Sequence, residues 1–197
     1  MIEGRYPRRA EFAGVTYEFR PMTSADAAAV LDFAGTLPQH DLLFLRRDIS
    51  QPKVLAAWTR EIETGHIHSL LALHDDAVVG CSAVVTDPHG FSAHVGDLRV
   101  LVAPDTRAHG LGRALIQESF LLALSLGLEK LTAQMTADQE AAVAVFQDMG
   151  FRLEAQLRDQ VRDHDGKDHD LLVLSHNVAA VANRLALFGV DEAMGSA

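Results

Sequence analysis

The distribution of apolar and polar residues divides the chain into alternating strands and amphipathic helices. Strands are predicted where apolar residues alternate with polar ones or run together between turn residues. The predicted strands cover residues 15–20, 67–73, 77–86, 92–102, 130–136, 151–162 and 171–175. The predicted helices cover residues 24–33, 50–63, 110–126, 138–149 and 178–187. This order predicts one mixed α/β domain whose first half is antiparallel.

Composition narrows the class of protein. The chain has 197 residues, a net charge of −10 and 48% hydrophobic residues. One domain with a packed core fits these values, and the acidity disfavours nucleic acid or an anionic membrane as partner. The lone cysteine, Cys81, lies in an apolar run and is interpreted as a buried hydrophobe in a reducing compartment. With no signal peptide and no apolar run of about 18 residues, we expect a cytoplasmic protein.

The most informative segment is residues 100–115, where a β-branched strand stops at Pro104 and turns through glycines into an apolar helix. Glycines at such a junction let the backbone approach a ligand closely. The N–H groups of the first helical turn have no internal partners and lie at the positive end of the helix dipole. With Arg107 and Arg113 flanking it, this turn is predicted to bind a pyrophosphate.

Two common phosphate-binding motifs are excluded by residue identity. A dinucleotide fingerprint needs a third glycine, and Leu115 stands at its place. A nucleoside triphosphate loop needs Gly-Lys-Ser/Thr, which does not occur in the chain.

The turn Arg107-Ala-His-Gly110-Leu-Gly112 resembles the arginine/glutamine-x-x-glycine-x-glycine signature of the GCN5-related N-acetyltransferases, the GNAT family. The Val-x-Pro strand end before it, the later helix end Phe146-Gln-Asp-Met-Gly150-Phe151 and the opening Phe19-Arg20-Pro21 are similar to the family's other motifs. The resemblance implies a mostly antiparallel sheet of about seven strands with helices on both faces. It divides the chain into an N-terminal extension (1–14), the acyltransferase domain (15–176) and a C-terminal helix and tail (177–197).

The resemblance implies that acetyl-CoA is the acyl donor and lies where strands 92–102 and 130–136 splay apart. Val100, Leu101 and Val102 are then expected to offer backbone groups to the pantetheine arm. A bulge in the same strand is expected to aim an N–H at the thioester carbonyl. The pyrophosphate is expected to be wrapped by the turn residues: Arg107, Ala108, His109, Gly110, Leu111, Gly112 and Arg113.

Two positions depart from the family pattern. Phe146 stands where many members carry a tyrosine that protonates the departing thiolate, and phenylalanine has no proton to give. Gln139 stands where an asparagine often contacts the cofactor, and a glutamine still offers hydrogen bonds. Both are expected to contact the cofactor. General-acid help is worth about 10²–10⁴-fold, so its loss predicts a slower enzyme or one without turnover.

The general base is expected on the strand 92–102. Asp97 is the first candidate and His94 the second, because imidazole titrates near neutral pH. The alternative is that neither residue is catalytic, in which case Asp97 is a solvated carboxylate on the strand and His94 is a surface histidine. Gln134, on the neighbouring strand, cannot serve as a base.

The histidines invite a metal hypothesis, and the densest group is the run 163–170. It lacks the bidentate acid of a calcium loop, because Leu174 stands at the twelfth position from Asp163. A solvated hairpin tip is the favoured interpretation, and we expect no metal.

Two functions remain open. The first is an N-acetyltransferase in which a small-molecule or protein amine attacks bound acetyl-CoA directly. The second is a coenzyme A-binding sensor or interaction module without turnover. The apolar cluster at residues 42–45 could cover the acceptor site, pack as core or form a homodimer contact.

Overall fold

A computed structural model describes residues 4–45 and 48–180 of the chain. Its centre is an eight-stranded sheet in the order β1-β2-β3-β4-β5-β6-β8-β7. Neighbouring strands are antiparallel except β5 and β6, which are parallel. The strands are β1 (Arg8–Phe12), β2 (Val15–Pro21), β3 (Ile67–His74), β4 (Ala77–Val85), β5 (Val95–Val102), β6 (Lys130–Thr136), β7 (Arg152–Arg162) and β8 (Asp168–Asn177).

Helices cover both faces of this sheet, as the sequence predicts. The longer helices are α1 (Ala27–Thr36), α2 (Pro52–Glu63), α3 (Leu111–Ser125) and α4 (Glu140–Asp148). Alternate residues of β5 point to opposite faces, so Leu98 packs with α3 and α4 while Leu101 packs with α1 and α2. One apolar core therefore lies between the sheet and helices α3 and α4, and another lies between the sheet and helices α1 and α2.

The sheet contains one strand more than the seven predicted. The additional strand, β1, lies in the segment assigned from sequence to an N-terminal extension and pairs along its whole length with β2. Its alternation is hidden by charged residues, because Arg8 and Arg9 open the strand. The sheet therefore begins before the predicted boundary at residue 15.

A buried carboxylate fixes this first segment to the domain. Glu118 of α3 is 2% exposed and accepts hydrogen bonds from Arg5 (3.0 Å), Tyr6 (2.7 Å) and Arg8. Burial opposes ionisation of Glu118, but the hydrogen bonds from Arg5 and Tyr6 outweigh it and lower its pKa. The three donors come from a segment more than a hundred residues away in sequence.

Two further predictions concern Cys81 and the C-terminus. Cys81 is 2% exposed in β4, and burial raises the pKa of its thiol to about 12, so it is a core residue as predicted. The helix predicted over 178–187 lies outside the described residues beyond Ala180. Among the described residues, no helix combines the length and apolar character needed to cross a membrane.

Candidate active site

The two parallel strands at the centre of the sheet separate part-way along their length. β5 and β6 are paired at Val95–Lys130, Gly96–Leu131 and Asp97–Thr132, and the ladder stops there. β5 continues to Val102 beside β4, and β6 continues to Thr136 beside β8. The result is a V-shaped opening whose narrow end is at Asp97, as the splayed strands of the sequence prediction require.

Backbone alternation decides which groups face this opening. Ala103 donates its N–H to Val79 of β4 (2.9 Å), so the main chain of Leu101, two residues earlier, also faces β4. The intervening residues Val100 and Val102 therefore direct their N–H and C=O groups into the opening. The prediction that Leu101 offers its backbone to a ligand is wrong for this reason.

No bulge aims these groups. The pairing of β4 with β5 is continuous from Gly80–Val102 to Val85–Asp97, so the predicted bulge in this strand is absent from the described structure. The free N–H groups arise because β6 diverges, which needs no irregularity in β5.

The β6 side of the opening is closed at its wide end by Gln139. The side-chain Oε1 of Gln139 accepts a hydrogen bond from the Thr136 N–H (3.1 Å), and the main-chain N–H of Gln139 donates to the Thr136 carbonyl (3.0 Å). The main chain of Gln134 lacks such a partner and has no ladder bond across the opening. Gln139 therefore shapes the rim, and its predicted contact with the cofactor stays a prediction.

The glycine turn lies at the wide end on the β5 side. After a short 3-10 turn at Pro104–Thr106, Ala108 (φ 63°) and Gly110 (φ 89°) adopt left-handed conformations. Gly110 is the residue before the first turn of α3, and the first intrahelical bond runs from Ala114 N–H to its carbonyl (3.0 Å). The N–H groups of Leu111 and Gly112 precede that bond and point out of the helix end.

Gly112 leaves space next to these donors. A Cβ at this position would meet Val102 Cγ2 at 3.7 Å, an ordinary contact, so the fold itself does not require glycine here. A requirement for glycine must come from a ligand that approaches the backbone. The turn has the geometry of an anion-binding helix N-terminus.

The two predicted arginines are both partly engaged by the protein. Arg107 donates to the Val102 carbonyl (3.0 and 3.2 Å) and pairs with Asp41 from the segment after α1. Arg113 pairs with Asp148 at the end of α4 (3.0 Å), and its side chain is 46% exposed. Arg113 is thus accessible at the mouth of the turn, whereas Arg107 fastens the strand end.

A groove of about 570 Å³ lies on the α1 and α2 side of the sheet. One wall is the apolar cluster at residues 42–45, and the other is the β7–β8 hairpin with Leu157, Val161 and Leu171. Gln134 of β6 contributes its side chain to the floor. Because the main chain of Gln134 faces the opening, the groove and the opening meet at this residue.

The comparison with known proteins identifies this architecture. Residues 37–151 match the model of the acetyltransferase (GNAT) family. The chain belongs to this family. The matched range contains the opening, the glycine turn and the end of α4, and it leaves out only the Phe19-Arg20-Pro21 motif of the sequence resemblance. Comparison with curated proteins gives no significant match.

Solved structures share the GNAT fold. A GNAT acetyltransferase from Streptococcus pneumoniae has a TM-score of 0.70 and 21% identity over 82% of this chain and 99% of its own. A ribosomal-protein-alanine N-acetyltransferase from Brucella melitensis has a TM-score of 0.69 and 22% identity over 81% and 98%. The protein yncA from Salmonella typhimurium, solved with its cofactor acetyl-CoA, has a TM-score of 0.70 and 18% identity over 82% and 94%.

Phe146, at the position of the family's tyrosine, is a core residue of α4. It is 7% exposed, and its ring packs edge-on against Phe151 with centroids 4.9 Å apart. The buried ring leaves little surface for a cofactor, and it carries no titratable proton. General-acid catalysis by this helix position is therefore excluded in this member of the family.

The two candidate bases occupy different places. Asp97 lies at the narrow end of the opening, on the α1 and α2 face, and its carboxylate accepts hydrogen bonds from Arg99 (2.9 and 3.0 Å). Arg99 lines a second cavity, of about 350 Å³, beside Trp58.

His94 is exposed and lies just before the start of β5, where β5 and β6 are still paired. Its main-chain carbonyl accepts hydrogen bonds from the N–H groups of Glu129 and Lys130. His94 precedes the paired part of the two strands and lies outside the part that separates, so its role as a base stays a prediction.

A histidine cluster that the sequence reasoning missed lies at the wide end of the opening on the groove side. His169 of β8 is 7% exposed and lies between the carboxylates of Asp138 (Nδ1 to Oδ2, 3.0 Å) and Asp163 (Nε2 to Oδ2, 2.9 Å). The hydrogen bonds to Asp163 and Asp138 raise the pKa of His169 despite its burial. His40, from the segment after α1, contacts the other oxygen of Asp138 at 3.1 Å.

The predicted solvated tip is wrong for His169. β8 begins at Asp168, three residues earlier than predicted, so His169 belongs to the strand and turns inward with Leu171. The period-two pattern that places Leu171 on the inner face extends back to His169, and this signal is present in the sequence. Asp138 and His40 carry no such local signal, because they meet His169 only through the fold.

Proposed function

We propose that the protein transfers the acetyl group of acetyl-CoA to the amino group of an acceptor bound in the groove. The observation that carries this proposal is the opening between β5 and β6, with the bare N-terminus of α3 at its wide end. Unpaired strand edges and outward N–H groups match the two polar parts of coenzyme A, its amide-bearing arm and its pyrophosphate. Membership of the GNAT acetyltransferase family supports the same donor.

The residues that hold the donor follow from this geometry. The N–H groups of Leu111, Gly112 and Arg113 bind the pyrophosphate, and the half-exposed guanidinium of Arg113 adds charge. The N–H and C=O groups of Val100 and the N–H of Val102, whose carbonyl is bound by Arg107, pair with the amides of the arm as an added strand would. This binding relies on the main chain, so the identities of the side chains matter less than the glycines.

The reaction joins an amine nitrogen to the thioester carbon and breaks its bond to sulfur. A main-chain N–H at the opening stabilises the negative charge that develops on the carbonyl oxygen. The acceptor ammonium must lose a proton, and Asp97 is the carboxylate at the narrow end that can take it once it leaves Arg99. The departing thiolate takes its proton from solvent, because Phe146 offers none.

The test is release of free coenzyme A thiol from acetyl-CoA in the presence of a panel of amines, with acetyl-CoA binding measured separately by calorimetry. We expect binding and amine-dependent thiol release. Asp97→Asn is expected to lower kcat by about 10²–10⁴-fold. Asp76→Asn, which replaces an exposed carboxylate in the turn between β3 and β4, is the control and should leave kcat unchanged.

A second function is a coenzyme A-binding module without turnover. The observations that favour it are the buried Phe146 at the tyrosine position and the pairing of the Asp97 carboxylate with Arg99. Tight binding of coenzyme A with no amine that raises thiol release would select this function. Failure to bind coenzyme A would contradict both.

A further inference from the structure

Four titratable side chains converge from separate chain segments at one end of the groove. They are His40 after α1, Asp138 between β6 and α4, and the pair Asp163 and His169 from the β7–β8 hairpin. His40 and His169 lie on segments that form opposite walls of the groove. Acetyl transfer, as derived above, uses none of the four.

The donor atoms are placed as metal ligands are. One possible ligand atom from each of His40, Asp138 and His169 lies within 4.8 Å of the other two. His40 Nε2 lies 3.1 Å from Oδ1 of Asp138, and His169 Nδ1 lies 3.0 Å from Oδ2 of the same carboxylate. Zn²⁺ bonds of about 2.0–2.2 Å separate tetrahedral ligand atoms by about 3.3 Å, so small shifts of exposed side chains complete the set.

The histidine that forms the buried end of the cluster has the surroundings of a metal ligand. Its side chain is 6% exposed, and its far nitrogen contacts Asp163 at 2.9 Å. A carboxylate behind a ligating imidazole fixes the ring and leaves the other nitrogen to the metal. Asp163 is itself held by the N–H groups of Asp165 (3.0 Å) and Lys167 (2.9 Å).

The opposite side of the cluster is open. The side chains of His40 and Asp138 are 39% and 47% exposed, so a cation can enter and keep a water molecule in its fourth position. Two imidazoles with one carboxylate favour zinc or a neighbouring transition metal over magnesium or calcium, which prefer oxygen ligands.

We propose that His40, Asp138 and His169 form a binding site for a divalent transition-metal ion, with Asp163 orienting His169. The ion links the segment after α1 to the β7–β8 hairpin and so fixes the width of the groove at this end. The site does not depend on acetyl transfer, and its expected effect is on metal binding and stability.

The experiment is titration of the chelator-treated full chain with Zn²⁺ alone by calorimetry, together with the visible absorption spectrum of added Co²⁺. We expect one equivalent to bind, an intense Co²⁺ spectrum typical of tetrahedral coordination, and a rise in Tm with Zn²⁺ concentration. His40→Ala and Asp138→Asn each remove a half-exposed donor and should weaken binding by at least about 100-fold. Asp163→Asn should weaken it by about 10–100-fold.

His164→Ala is the matched control, because His164 is an exposed histidine of the same hairpin outside the cluster. It should bind Zn²⁺ as the unmodified chain does. Weak or superstoichiometric binding in the unmodified chain would overturn the proposal. So would equal loss in the His164 variant, or retention of binding by His40→Ala and Asp138→Asn.

Discussion

The two sides of the opening are built in different ways. The β5 side ends in a proline, a 3-10 turn and a glycine turn, and its main chain faces the opening. The β6 side ends in Thr136, whose main chain is bound by Gln139, and side chains from distant segments gather behind it. One side is formed by about a dozen consecutive residues, and the other needs three remote parts of the chain.

This difference distinguishes features that the fold requires from features that only a bound ligand would require. The β5 side leaves N–H groups unbound and keeps a glycine that the fold could replace. On the β6 side, the main chain of Thr136 is bound by Gln139, and only the main chain of Gln134 faces the opening. Variants that alter one side and spare the other should therefore have separable effects on binding and on stability.

The largest effect is expected at Glu118 of α3, the helix that follows the glycine turn on the β5 side, because Glu118 binds the N-terminal segment. Glu118→Ala removes the acceptor of Arg5, Tyr6 and Arg8 and should lower the free energy of unfolding by about 3 kcal/mol, because buried ion pairs are costly to break. Denaturant unfolding measures the change. Gln117→Ala, at the exposed neighbouring position of α3, should change stability little. Equal losses in the two variants would mean that the N-terminal segment does not support α3.

The next effect tests the β5 side itself. Gly112→Leu should weaken acetyl-CoA binding by at least about 100-fold, or about 2.7 kcal/mol, because a side chain blocks approach to the helix N-terminus. Calorimetric titration measures it. Gly35→Leu, at an exposed helix glycine with no atom within 4 Å of a Cβ, is the control and should bind normally. Unchanged binding by the Gly112 variant would place the pyrophosphate elsewhere.

A smaller effect concerns the groove side, where α1 is anchored by Asp26. Hydrogen bonds from Arg20 and from the Thr23 backbone lower the pKa of Asp26 from 3.8 to about 2. A depressed folded pKa stabilises the protein above the unfolded value, so the contribution is complete above about pH 5 and lost as the pH falls toward 2. Its size is about 2 kcal/mol, at 1.36 kcal/mol for each pH unit.

The measurement is the pH dependence of unfolding from pH 6 to 2 for Asp26→Asn and the unmodified chain. The difference in stability between them should shrink toward low pH. Asp32→Asn, an exposed carboxylate on the same helix, should leave the pH dependence unchanged. A constant difference across the range would show that the carboxylate of Asp26 stabilises α1 without being ionised.

The smallest effect is expected at the ion pair between Asp41, in the segment after α1, and Arg107 on the β5 side. Asp41→Asn removes the partner of Arg107, whose side chain is 43% exposed. Solvent screening keeps such a pair near 0–1 kcal/mol, so unfolding should change by about 0.5 kcal/mol. Acetyl-CoA affinity should change less than in the Gly112 variant. A larger loss of affinity would show that the two sides are coupled through this pair.

Particular residues show which features of the structure could be predicted from the sequence. The glycine turn and the interpretation of Cys81 were predicted because each depends on neighbours in the chain, whereas the splayed strands were expected from the family resemblance. β1 was missed because Arg8 and Arg9 mask the alternation, although Arg8 binds the Glu118 carboxylate of α3 and Arg9 binds Glu18 of β2. Leu101 was assigned wrongly because the direction of a strand's main chain depends on the strands that pair with it.

The sequence by itself indicated the family, which the family model confirms, and the glycine turn before α3. Glycine conformations, strand ends and helix N-termini are local, so a short run of residues specifies them. The tertiary structure alone decided that His40, Asp138 and His169 meet, and that the N-terminal segment joins the sheet. Contacts between residues separated by 98 positions, as His40 and Asp138 are, depend on the packing of the whole domain.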